Sequence, residues 1–154
     1  MFGETQEEVL DPFSREFAAA LFAAHPDWRT LARTEVAADE SRYLVVEVPA
    51  PSGTDLAQAL WIHTDAEEVT IGLDHHHAHF EWPPRTGRSP LSFIDDLIAE
   101  RWMITTGLRD DGWVCWSSSG PAKEDIETLG QIATRIRVRS WKGSLDRDVL
   151  VADL

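Results

Sequence analysis

The chain is poor in several things at once. Its 154 residues include one cysteine, Cys115, and one tyrosine, Tyr43. A lone cysteine excludes an internal disulfide and any zinc finger built on cysteines. Basic residues are scarce: 14 Lys and Arg stand against 27 Asp and Glu, a formal net charge of −13 with histidine neutral. That balance excludes a general nucleic-acid binder, which needs a basic face to displace counterions from phosphates, and it disfavours adsorption to anionic lipid. No run of about 18 apolar residues occurs, so no segment reads as a membrane-spanning helix. The opening Met1–Asp11 is acidic and has no basic n-region, so a secretory signal is not expected and a cytoplasmic location is. Also missing are a Gly-x-Gly-x-x-Gly or Walker A loop for phosphates and a Gly-x-Ser-x-Gly nucleophile elbow.

What is present suits a globular protein. Hydrophobic residues make up 43% and charged residues 27%. The length predicts one domain over 1–154, with 1–10 a loose acidic lead. Seven tryptophans (Trp28, Trp61, Trp82, Trp102, Trp113, Trp116 and Trp141) supply a well-filled core, with one or two left over for a binding surface.

Asp11-Pro12 is an N-cap followed by proline in the first turn, and Phe13, Phe17, Ala20, Leu21 and Ala24 continue as one helical stripe that stops at His25-Pro26. Strands are predicted over Tyr43–Val48, Leu60–Thr64 and Val69–Leu73. The polar turn 65–68 makes the last two a hairpin, with Thr64 facing Val69, His63 facing Thr70 and Trp61 facing Gly72. His77–Trp82 reads as a short strand. Ser89-Pro90 opens a second helix, whose apolar face is Leu91, Ile94, Leu97 and Ile98 and which stops near Glu100 or Trp102. Met103–Leu108 and Trp113–Ser117 form another hairpin. A weak helical pattern covers Lys123–Leu129, a clean alternation runs through Ala133–Trp141, and Val149–Val151 adds a last strand or turn. The order predicts an α+β fold: a mainly antiparallel sheet of about five to seven strands, with two main helices packed on one face.

Histidine is the strongest local signal, with five of six at 63, 75, 76, 77 and 79. On a strand, His77, His79 and Glu81 share a face, and His63 approaches if its strand is near. Neutral imidazoles so spaced are workable ligands for zinc or another divalent transition metal, leaving an open position for water. The competing reading has them solvated or bonded to backbone, and no cofactor at all. Cys115, between Trp113 and Trp116, reads as an inert core thiol. The acid pairs Glu67-Glu68, Asp95-Asp96, Asp110-Asp111 and Glu124-Asp125 read as solvated turns and helix faces, since neighbours on a helix diverge by about 100° and make no catalytic dyad. Arg135, Arg137 and Arg139 form a stripe that suits either an anion or, more simply, the pairing of a strand face with nearby acids.

The stretch Leu60–Trp82, with its strand, acidic turn, second strand ending at Asp74 and His79-Phe80 close behind, resembles a pattern in small immunity-like proteins of bacterial polymorphic-toxin and contact-dependent inhibition systems. An acidic helix such as Ser89–Glu100 follows in that pattern. The resemblance implies a non-enzymatic protein with no catalytic residues to transfer. It also implies a basic protein toxin, such as a nuclease, as partner, with no nucleic-acid or membrane partner. An acidic surface suits that task, because it steers a basic protein and mimics the phosphates a nuclease expects. On this reading Glu67, Glu68, Asp95, Asp96, Asp110 and Asp111 are the candidate partner-binding residues. The alternative is a metal-binding protein or metal-dependent enzyme using His77, His79, His63 and Glu81.

Overall fold

The computed structural model describes residues 7–65, 67–121 and 130–153. The helical pattern at Lys123–Leu129 and the Glu124-Asp125 pair lie outside the described residues, as do the first six residues of the acidic lead. No helix among the described residues is long and apolar enough to cross a membrane.

The α+β class holds, with the strands divided between two antiparallel sheets of five and four. The chain falls into two compact units. One comprises Met1–Pro49, Ala59–Gly72 and His77–Ile94; the other comprises Ala50–Gln58, Leu73–His76 and Asp95–Leu154.

In the first unit, α1 (Pro12–Ala24) begins as its sequence dictates. Asp11 accepts the Ser14 backbone N–H at 2.9 Å and the Ser14 hydroxyl at 2.6 Å. The buried stripe is Ser14, Phe17, Ala18, Leu21 and Phe22, rotated from the expected one, so that Ala24 is exposed. Ser14 tolerates burial because its hydroxyl also meets Thr64 Oγ1 at 2.5 Å. A 3₁₀ turn (Pro26–Leu31) leads into β1 (Ala32–Val36), a strand its polar composition does not announce.

The first sheet runs β1, β2 (Arg42–Val48), β3 (Leu60–Thr64), β4 (Val69–Leu73) and β5 (His76–Phe80), in that order. The β3–β4 register is the expected one: Thr64 faces Val69, His63 faces Thr70 and Trp61 faces Gly72. Alternation then sorts the residues. Leu44, Val46, Leu60, Ile62, Val69 and Ile71 are fully buried on one face. Tyr43, Trp61, His63, Thr70 and Gly72 lie on the other, by the same register.

Helix α2 (Pro90–Ile98) buries Phe93, Ile94 and Leu97. It ends before Glu100, whose φ of +57° lies outside the helical range.

In the second unit, β6 (Met103–Leu108), β7 (Val114–Gly120), β8 (Arg135–Arg139) and β9 (Arg147–Leu150) form a sheet in the order β7-β6-β8-β9. The turn 109–112 closes through the Gly112 N–H to Arg109 O bond at 2.9 Å, and Gly112 takes the positive φ (+82°) that a side chain would resist. Ile136 and Val138 are buried on one face of β8, with Met103, Val149 and Val151 packed against them.

Candidate functional site

His63, His77 and His79 lie on the outer face of the five-stranded sheet, in an arrangement set by Gly72, whereas His75 is in the β4–β5 turn and His76 bonds Ser117 Oγ at 2.9 Å. A Cβ at that position would fall within the Trp61 indole, so glycine alone lets this ring lie flat across β4. The consequence is a row of rings. His63 stacks on Trp61 with centroids 5.1 Å apart, and Tyr43 meets His63 edge-on at 6.4 Å. Beyond the indole, His77 lies 6.2 Å away, and His77 meets His79 edge-on at 5.2 Å. Around the row, Arg33 bridges Glu35 (3.2 Å) and Glu47 (3.3 Å), and the Tyr43 hydroxyl donates to Glu35 at 2.9 Å. That bond raises the Tyr43 pKa above its ordinary value. Burial holds the His63 imidazole below its ordinary value, against the raising influence of Asp65 and Glu35. His79 Nδ1 sits 2.9 Å from Glu68 Oε1 and 3.0 Å from Thr70 Oγ1.

These positions bear on the expected metal ligands. Strand β5 ends at Phe80, so Glu81 lies beyond it and does not continue the face of His77 and His79. His63 and His77 each have Trp61 as a ring neighbour. Among the described residues, no group of three or more His, Cys, Asp or Glu is placed to hold a metal ion.

Two arginines of the stripe, Arg137 and Arg139, are taken up by acids, and their strand is interior to its sheet. Arg137 donates to both carboxylate oxygens of Asp74, at 3.0 and 3.1 Å, and to the Asp55 carbonyl at 2.6 Å. Arg139, whose side chain is 5% exposed, bonds Asp55 at 2.9 Å and Asp148 at 3.1 Å. Burial disfavours both guanidinium charges; the hydrogen bonds of Arg137 to Asp74, and of Arg139 to Asp148 and Asp55, outweigh it and raise both pKa values. Asp55 is held below the usual carboxylate range by its bond to Arg139. A cleft of about 480 Å³ opens beside Arg135, Arg137 and Arg139 with Leu108 and Leu150 in its wall. Its arginine charge is largely answered already. Asp55 and Asp74 carry no local signal of this role, because 63 to 84 residues separate them from their partners.

The acid pairs fall on three separate elements. Glu67 and Glu68 occupy the β3–β4 turn, where Asp65 Oδ1 accepts their backbone N–H groups at 2.8 and 2.9 Å. Asp95 and Asp96 lie on α2, with Asp96 paired to Arg101 at 2.5 Å. Asp110 and Asp111 form the exposed β6–β7 turn, where Asp111 accepts the Trp113 N–H at 2.9 Å.

Next to that turn comes the residue pair that the sequence did not place. Trp113 is 66% exposed and Trp116 42% exposed, with Val114 exposed between them. Cys115, expected in the core, is half-buried, its thiol 3.6 Å from the Ile132 carbonyl. The composition allowed for one or two surface tryptophans; the signal for these two was their position against an Asp-Asp-Gly turn. Strand β7 is at the edge of its sheet, and among the described residues no strand pairs with its far side.

No protein-family model matches the chain. No curated protein matches it, and neither does any solved structure.

Proposed function

We propose that the chain is a non-enzymatic binding protein of the immunity type, which acts in the cytoplasm and neutralises a basic protein toxin by covering its active surface. One observation carries this reading: two exposed indoles, Trp113 just before the edge strand β7 and Trp116 on it, stand beside the exposed Asp110 and Asp111. Tryptophan is among the residue types most enriched as anchors of protein interfaces, because it buries a large rigid area and offers an N–H to a partner. Carboxylates beside it favour a partner of positive charge and speed its approach. The far edge of β7, which pairs with no strand among the described residues, adds backbone donors and acceptors for a partner strand. The net charge of −13 supports the same choice of partner.

The test is complex formation between this chain and the product of the reading frame adjacent to its gene, followed by calorimetry. A complex that is lost in Trp113→Ser/Trp116→Ser and weakened in Asp110→Asn/Asp111→Asn is expected. No complex at micromolar concentration, or one indifferent to both double variants, refutes the proposal.

A further inference from the structure

The outer face of the five-stranded sheet shares no residue with the β6–β7 hairpin, so a site there does not depend on whether the hairpin docks a partner. Three features coincide on this face. The first is the row Tyr43, His63, Trp61, His77 and His79, whose neighbouring centroids lie 5.1 to 6.4 Å apart. The second is access: His77 and His79 are exposed, while Tyr43, Trp61 and His63 are half-buried and present part of their rings. The third is charge. With histidine neutral, Glu35, Glu47 and Glu68 border the row, Asp65 acts on His63 by its charge, and Arg33 bridges Glu35 and Glu47. An aromatic face with surplus negative charge at its rim has the chemistry that recognises a planar cation. A guanidinium stacks on an indole and bonds carboxylates with its edge.

We infer that this face is a recognition site for an arginine side chain presented by a peptide or protein partner, with Trp61 as the platform and Glu35 and Glu47 as the carboxylates that receive its N–H groups. Gly72 belongs to the site although it touches no ligand, because any side chain there displaces the platform.

The experiment is an NMR titration of the full chain at pH 8. The probes are a short neutral-backbone peptide with one arginine and the same peptide with citrulline, which keeps the shape and lacks the charge. The Trp61 indole N–H is identified by its loss in Trp61→Phe. The site predicts that this resonance shifts saturably with the arginine peptide. Binding should exceed that of the citrulline peptide by about two- to fivefold, the ratio an exposed cation–π contact supplies. The preference should fall toward unity in Trp61→Leu, in Gly72→Ala and in Glu35→Gln/Glu47→Gln, each checked for folding by circular dichroism. An unmoved Trp61 indole, equal binding of the two peptides, or a preference that survives Trp61→Leu overturns the inference. The two-peptide comparison on the unaltered chain decides even if a variant fails to fold.

Discussion

Asp74 shows how much one side chain can be asked to do. It is buried, it receives Arg137 through both oxygens, and it accepts the Ala57 N–H at 2.7 Å. Its φ of +54° is a conformation that Asp and Asn tolerate better than other side chains. Asp74→Asn therefore removes the charge without straining the backbone. It should destabilise the chain by about 3 kcal/mol, the lower range for breaking a buried ion pair, as read from urea unfolding. His63 sets a different dependence. Its folded pKa is depressed, so the neutral ring's contribution to stability is complete above the unfolded value of about 6.5. That contribution is lost as the pH falls through the lower folded value. Thermal midpoints measured from pH 7.5 to pH 5 should fall less in His63→Gln than in the unaltered chain. An equal fall in both would show that His63 contributes nothing to the acid sensitivity.

At the scale of elements, local pattern and outcome agree where both partners in a contact are close in sequence. The β3–β4 register was legible because alternation and a short turn leave one pairing that buries Ile62 and Ile71 together. Both helix starts were legible because Asp11-Pro12 and Ser89-Pro90 carry the chemistry of a first turn. Strand β1 was not, since Arg33, Thr34 and Glu35 are polar and take their extended form from pairing with β2. The division into two sheets was not legible either, because β6 chooses β8 as its second neighbour across a long separation that no local period records. Of the candidate site, the Trp61–Gly72 opposition was readable, whereas the exposure of Trp113 and Trp116 was not. An apolar run on an edge strand has the same letters as one in a core. Because both indoles face outward from the β6–β7 hairpin, Trp113→Ser/Trp116→Ser should change the urea midpoint little, within the about 0.5 kcal/mol usual for surface changes at each site. A large loss would mean that the indoles hold the fold together rather than face a partner.

For the whole molecule, the net charge makes the proposed partner testable by salt. A basic partner steered by a chain of −13 should associate more slowly as salt is raised, while its dissociation rate changes little. Stopped-flow association measured between 50 and 500 mM salt (roughly 14 to 4 Å of screening length) checks this. A salt-independent association rate would rule out electrostatic steering.

The Arg137–Asp74 pair also has a consequence in time. Its members are 63 residues apart in the chain, with Asp74 made first. At about 5–20 residues per second, roughly 3–13 s of synthesis separate them. Through that interval the chain holds an aspartate whose buried place in the fold does not yet exist. The carboxylate must keep its water until the last strands emerge. The second unit, which draws on Ala50–Gln58 and Leu73–His76 as well as on β8 and β9, is therefore completed only after those strands are made. A stall between Gly120 and Arg137 leaves a nascent chain in which β6 and β7 are made and β8 is incomplete.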